Sequence, residues 1–476
     1  MRGNYYITTT LPYVNSEPHL GHALEFVQAD MLARVHSSLG YDVFFNIGTD
    51  EHGTKVYKKA QDVGEDVKDY VRNTSNLFKD LAETLSVVPT RFIRTTDKDH
   101  IEAAQEFWRR CDKNGYIYKK SYEGKYCVGC ELFKQDDEIV GGVCPLHPTT
   151  PIESLSEENY FFAFSKFSEQ LAKLYKENKD FVFPTQRQKE IEKFLERGLK
   201  DFSISRDKNR LPWGVPTPND ETQVMYVWFD ALVNYLTTIG WPDDSHKKWW
   251  PVVQIAGKDN LRQQSAMWQA MLLSVSMQPS KQIYIHGFIT KDGKKMSKSL
   301  GNVISPYEII SHYGADFLRY FLLAHINPYE DSDVDWTRLH NVYTADFSNG
   351  IGNLVSRIMR LSSEHIAEKI DIPSKEFPEE VVKSCKKYDF NEAVTWYTDN
   401  MRGLDEMIQK KRPFETITKD KEKGVEEIKA LVRQLYFIID AFEPILPDTS
   451  KKVKDLIKEN KFPQKPLFER KDIYVG

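Results

Sequence analysis

Residues 5–25 read YYITTTLPYVNSEPHLGHALE, and this stretch decides the fold. Tyr5-Tyr6-Ile7-Thr8-Thr9-Thr10 is aromatic and β-branched, so it reads as a buried strand. Asn15-Ser16-Glu17-Pro18 follows, a turn with capping side chains and a proline suited to a first helical turn. His19-Leu20-Gly21-His22 then opens a helix that runs through Gln28 to about Leu39. His19 and His22, at i and i+3, share one face near the positive end of that helix. Gly21 between them carries no side chain, which leaves room for a flat ligand against the backbone. A strand, a turn and a helix N-terminus topped by donors suit a phosphate chain. Histidines at a helix start are more often caps than ligands, so this stretch alone points only to a nucleotide site.

Working outward, residues 41–48 (YDVFFNIG) form a second strand and complete a β-α-β unit, ending in Thr49-Asp50-Glu51-His52-Gly53. Ligands bind at the ends of parallel strands, and Asp50 there is either an anchor for an ammonium group or a capping acid. From Gly115 to about Met225 the pattern turns to short strands, turns and charged helices, an insertion. It holds Cys127-Val128-Gly129-Cys130 and Cys144-Pro145-Leu146-His147, two pairs with zinc-knuckle spacing. Cys127, Cys130, Cys144 and His147 would fill one tetrahedral Zn2+ and leave no open position, which makes the metal structural. The plainer alternative is four reduced residues that merely lie close. Residues 224–235 (VMYVWFDALVNY) are a strand running into a helix, and core packing is the default reading of its apolar stripe. Another buried strand ends at Gly257-Lys258-Asp259-Asn260, where an acid suits ribose hydroxyls. A further strand, Gln282 to Thr290, passes His286 and meets an Asp292-Gly293 turn before Lys295-Met296-Ser297-Lys298-Ser299.

HLGH early and KMSKS late, in this order, resemble the class I aminoacyl-tRNA synthetases, and in detail the methionyl-tRNA synthetase family, over essentially the whole chain. The resemblance implies an α/β fold. It is a Rossmann-type doubly wound parallel sheet split by a zinc-knuckle insertion and followed by an all-α anticodon-binding bundle. The expected divisions are 1–114 and 226–290 for the two halves of the nucleotide fold and 115–225 for the insertion. The KMSKS loop and stem-contact region follow at 291–340, and the bundle at 341–476. By resemblance, His19, His22, Lys295 and Lys298 are catalytic. ATP, with Mg2+, would meet His19, Gly21, His22, Gly257, Asp259, Lys295, Ser297, Lys298 and Ser299. Methionine would lie among Leu11, Tyr13, Asp50, Trp228, Ala231, Leu232, Tyr235 and His286, a thioether being well held by aromatic edges and faces. Asn353 and Arg357, at i and i+4, would read the first anticodon base of tRNA(Met). Phe414, after Pro413, stands where the family has a stacking Trp. Three alternatives stay open: another class I synthetase, a small-molecule nucleotidyltransferase, and a non-catalytic tRNA-binding relative.

Composition sets the outer bounds. A chain of 476 residues is too long for one core. Its 40% hydrophobic and 28% charged content is ordinary globular usage. A net charge of −5 argues against a generally basic coat, so RNA must be met by local patches and shape. No apolar run is long enough to span a bilayer, and neither a signal nor a transit segment is expected before the opening strand. Five cysteines, three of them clustered with a histidine, suit reduced cytoplasmic metal chemistry rather than disulfides. A further C-terminal domain, through which many relatives dimerise, is not expected here, and a monomer is.

Overall fold

The computed structural model describes residues 2–128, 132–134, 136–145, 147–296 and 303–474. Its first strand, β1 (Asn4–Thr9), leads through the Pro18 turn into helix α1 (Leu20–Ser38), then β2 (Asp42–Thr49). Helix α2 (Val67–Thr84) returns the chain to β3 (Arg91–Arg94), and α3 (Lys98–Lys113) carries it away again. β-branched and aromatic residues favour the strands, while α2 and α3 each bury one apolar stripe.

The stretch from 115 to 225 departs from the short strands its sequence predicts. A long antiparallel ribbon, β4 (Ile117–Cys127) with β5 (His147–Phe162), runs in register from Ile117↔Phe162 to Cys127↔Ile152. Lys, Ser and Glu crowd β4 and β5, so the ribbon lacks the apolar alternation that announces a half-buried strand. Within the same stretch, β6 (Val182–Phe183) leaves the insertion and pairs with the main sheet. Strand β7 (Asp220–Met225) then leads into the short helix α4 (Val227–Ala231).

Strands β8 (Val253–Gly257) and β9 (Gln282–His286) complete a six-stranded sheet of order β3-β2-β1-β8-β9-β6, parallel throughout. The order reverses between β1 and β8, which opens a crevice at their C-terminal ends. A hairpin of β10 (Ile289–Lys291) and β11 (Lys294–Lys295) follows, turning through Asp292 and Gly293 at φ of 54° and 67°. Helix α5 (Ala315–Ala324) precedes β12 (Ser332–Asp333), which pairs in parallel with β10.

The remainder is helical. The sequence predicts a regular helix from Ala345, but Tyr343–Ile351 is π-helical, and the α-helix α6 begins at Gly352 and ends at His365. Helices α7 (Phe390–Lys411), α8 (Pro413–Lys419), α9 (Lys421–Ala441) and α10 (Pro447–Glu459) complete the bundle. One apolar core runs without interruption from β1, α1 and α2 through α5 into this bundle. A second core joins the insertion to α4, β8 and β9. No helix among the described residues is long and apolar enough to cross a membrane.

Candidate active site

The crevice at the β1–β8 reversal gathers side chains from four strand ends and one helix start. His19 is the N-cap of α1, with extended φ and ψ of −130° and 175°. Its Nδ1 accepts the Gly21 N–H at 3.1 Å, and the His22 Nδ1 accepts the His19 N–H at 3.2 Å. The two histidines thus form a capping box, satisfying backbone donors that a helix start leaves over. A ring whose Nδ1 accepts carries its proton on Nε2 when neutral. Both imidazoles are therefore held in the tautomer that donates from Nε2. The rings stack at 3.7 Å, and His22 stands edge-on to Phe78 at 5.0 Å. The His19 ring also lies close to Gly21. A Cβ there would lie 2.9 Å from the His19 Cε1.

Across the crevice, Asp50 is buried at 2% exposure and exchanges backbone hydrogen bonds with the 12–14 segment. Tyr13 pairs with it as an isolated bridge and meets Trp228 edge-to-face at 6.2 Å. Leu11 and Trp228 are half-buried beside them, and Ala231 is buried. Leu232 and Tyr235 lie in the second core, where the Tyr235 hydroxyl accepts from Gln264 Nε2 at 2.9 Å. At the end of β8, a Cβ on Gly257 would come within 2.9 Å of Asp259 Oδ1, so the acid stands close over the strand end.

His286, at the end of β9, donates from Nδ1 to the Gly287 carbonyl at 2.7 Å and from Nε2 to Glu25 at 3.1 Å. Burial works against the charged ring, but the Glu25 carboxylate outweighs it and raises its pKa above the ordinary histidine value. Glu25, which the sequence reading did not single out, also accepts the Thr10 N–H at 2.5 Å and its hydroxyl at 2.6 Å. One carboxylate on α1 thereby ties together the ends of β1 and β9.

The family model for tRNA synthetases class I (M) matches residues 5–150 and 146–359. The chain belongs to the class I tRNA synthetases (M). The methionine–tRNA ligase of Thermotoga maritima is 39% identical over 489 residues, 98% of this chain and 76% of that protein. That of Synechocystis sp. is 36% identical over 476 residues, covering 94% and 88%. Among solved structures, Mycobacterium tuberculosis methionyl-tRNA synthetase in complex with methionyl-adenylate superposes with a TM-score of 0.90 at 31% identity. That match covers 95% of this chain and 94% of the other.

Other parts of this class I synthetase bear on the remaining expectations. Lys295 closes strand β11, while Ser297, Lys298 and Ser299 lie outside the described residues, as does the Lys295 side chain. In the insertion, Cys127 and Cys144 are both fully buried, and the backbone of Cys144 pairs with that of His147. Cys130 and the His147 side chain lie outside the described residues, and no metal-binding group of three ligands occurs among those described. Asn353 and Arg357 line one cavity of about 320 Å3 on the bundle, with Thr398, Met401 and Asp405. Arg357 Nη1 donates to Asp405 at 2.5 Å. Phe414, at the start of α8, is 44% exposed beneath the Arg412 guanidinium and is not among the residues lining that cavity.

A second buried network went unread in the sequence. Asp230 of α4 is 1% exposed and accepts from His52 Nδ1 at 2.6 Å and from His100 Nε2 at 2.8 Å. Burial alone would raise its pKa, but the His52 charge and the hydrogen bonds from His100 and His52 hold it below the ordinary carboxylate range. Beside it, Glu51 accepts both arms of Arg94, at 2.6 and 2.9 Å. The available signal was a lone acid inside an apolar run, Val227-Trp228-Phe229-Asp230-Ala231-Leu232. A buried charge demands partners.

Proposed function

We propose that this chain is a methionine–tRNA ligase. It joins methionine to ATP as methionyl-adenylate with release of pyrophosphate, then passes the methionyl group to the terminal ribose of tRNA(Met). The observation carrying this reading is the donor pair at the α1 N-cap. Two imidazoles whose Nδ1 atoms cap the helix, leaving Nε2 to donate, begin the helix that follows β1, in a chain aligned over 98% of its length with a methionine–tRNA ligase.

The reaction needs no protein nucleophile. The methionine carboxylate attacks the α-phosphorus in line, and the bond to the bridging oxygen breaks as pyrophosphate leaves. Catalysis is then positioning and electrostatics. His19 and His22 donate to phosphate oxygens without any change of tautomer, so no reorganisation is needed as charge builds. Asp50 takes the substrate ammonium group. Tyr13, Trp228 and Ala231, with Leu11, Leu232, Tyr235 and His286, shape the thioether slot. Gly257 and Asp259 serve the ribose, and Lys295 and Lys298, with Ser297 and Ser299, serve the departing phosphates. Mg2+ accompanies ATP. In the second step a ribose hydroxyl attacks the methionyl carbonyl and AMP leaves.

Two buried thiols at the tip of the ribbon, with the backbone of His147 beside one of them, suit a structural Zn2+ held by Cys127, Cys130, Cys144 and His147. Bound there, the ion would tie the ribbon ends together. Asn353 and Arg357 offer an amide and a guanidinium to an unstacked anticodon base, with Phe414 as a stacking surface. Cys111 and Cys385, buried thiols free of disulfides, suit a cytoplasmic setting, and we take the working unit to be a monomer.

ATP–pyrophosphate exchange with each proteinogenic amino acid in turn tests this reading. Methionine should support exchange strongly, norleucine somewhat less, and leucine and isoleucine poorly, because branching near the backbone collides with a narrow slot. Strong exchange with leucine would replace methionine as the substrate. Absence of exchange with every amino acid would leave a non-catalytic relative.

A further inference from the structure

Arg319, on α5, is fully buried, and its guanidinium spends four hydrogen bonds on three separate parts of the chain. Nη2 donates to Asp30 of α1 at 2.7 Å and to the Pro444 carbonyl at 2.7 Å. Nη1 donates to the Leu85 carbonyl at 3.0 Å, and Nε to the Ile445 carbonyl at 2.9 Å. Leu85 is the C-cap of α2, and Pro444 and Ile445 form the turn between α9 and α10. One side chain therefore closes carbonyls at the end of a helix of the nucleotide fold and at a turn of the bundle while gripping α1.

A second arginine repeats the pattern at the rim. Arg34, one turn beyond Asp30, donates to Asp30 at 2.7 Å, to the Ser86 carbonyl at 2.6 Å and to Glu443 of the bundle at 2.5 Å. Asp316, also on α5, accepts the Thr449 N–H at the start of α10 at 2.6 Å. Ion pairs taken out of water are poor devices for stability, because desolvation offsets their attraction. They are good devices for register, and a planar fork that must satisfy several acceptors at once accepts one geometry only.

What this centre holds in register is α1 against the bundle. Asp30 lies eleven residues beyond the His19 cap, about 16 Å along a rigid helix. We propose that Arg319, Asp30, Arg34 and Glu443 form a positioning centre that fixes the angle between the helical bundle and α1. A tRNA held on the bundle is thereby delivered in register to the phosphate site at the other end of that helix. None of the four touches the reacting atoms. The proposal rests on the tRNA-charging function above.

The test uses the full chain carrying Arg319→Lys or Glu443→Gln. Lysine keeps the charge beside Asp30 but lacks the fork, and Glu443→Gln removes only the charge from the rim contact, turning an ion pair into a neutral-acceptor hydrogen bond. Three readouts are needed: methionine-dependent ATP–pyrophosphate exchange without tRNA, steady-state charging of full-length tRNA, and thermal unfolding. Exchange should stay within about twofold of wild type while kcat for charging falls about tenfold with little change in KM for tRNA. Arg34→Gln combined with Glu443→Gln should be no worse than either alone. Wild-type kcat for charging in both single variants overturns the proposal, as does a fall in exchange that parallels charging and unfolding temperature, which marks a merely structural role. If Arg319→Lys fails to fold, Glu443→Gln decides alone. Failure of the underlying function is told apart by the wild-type chain, which would then show no methionine-dependent exchange at all.

Discussion

Glu25→Gln isolates the charge of the Glu25–His286 pair with almost no change of shape. The wild-type carboxylate accepts three donors, two from Thr10 at 2.5 and 2.6 Å and one from His286 at 3.1 Å. In the variant the amide oxygen can keep both Thr10 bonds, which turns the NH2 group toward His286. The ring must then be neutral, still donating from Nδ1 to Gly287 and now accepting at Nε2. A charge-assisted hydrogen bond worth about 1.5–3 kcal/mol becomes a neutral one worth about 0.5–1.5 kcal/mol. The expected loss is thus about 1 kcal/mol.

The sign with pH follows from the raised pKa of His286. A raised folded-state pKa contributes stability that is fully present below the unfolded value, about 6.5, and is lost as pH rises through the folded value. Thermal unfolding of both proteins at about pH 6 should therefore show the variant lower by about 2 °C. At about pH 9 the wild-type ring turns a lone pair toward the carboxylate, so the gap should close or reverse. A gap of equal size at both pH values would mean that the ring is not charged in the fold, and would remove the argument for a carboxylate lock on this strand end.

Three further predictions follow the same geometry. Gly21→Ala sets a Cβ 2.9 Å from the His19 ring, so the cap must shift; adenylation should fall about tenfold or more while methionine affinity stays unchanged, as measured by exchange rates against equilibrium binding. Purified protein should carry about one Zn2+ per chain by elemental analysis and Cys144→Ser should lose it, whereas metal-free protein prepared without chelator would reject the knuckle. Phe414→Ala should weaken tRNA charging by about 1–3 kcal/mol, the worth of one base on an aromatic face, with exchange intact; normal charging would reduce Phe414 to packing beneath Arg412.

The parts of the fold that declared themselves locally were legible. The opening strand, the N-cap and α1 follow one another within Tyr5–Ser38, each marked by side chains acting on near neighbours. The turn at Asp292-Gly293 and the amphipathic bundle were readable for the same reason. The ribbon was less so, because its apolar residues gather towards the strand ends and the Lys-, Ser- and Glu-rich stretches between them carry no apolar alternation. Strand β6 was invisible within the insertion, since two residues have no periodicity and their role depends on Ile283 and Tyr284, far along the chain.

The site divides along the same line. His19, His22 and Gly21 sit together in sequence and in space, and the His19 ring adds a second reason for a glycine between the two histidines. Glu25, Asp230 and Arg319 were missed because each is defined by a distant partner: Glu25 by His286, Asp230 by His52 and His100, Arg319 by Asp30. Each stood in plain view as a charged residue within an apolar helical pattern, where solvation theory forbids an unpaired charge. Such a residue states that a partner exists without saying where. The three share a consequence: every one of them fastens an element of the nucleotide fold to something outside its own β-α-β unit. Glu25 fastens α1 to the second half of the sheet, Asp230 fastens α4 to the Asp50 loop and α3, and Arg319 fastens α1 to the bundle. The apolar pattern builds the individual layers, and the buried charges set how the layers meet. A crevice assembled from four strand ends and a helix cap depends on that second set of contacts for its shape.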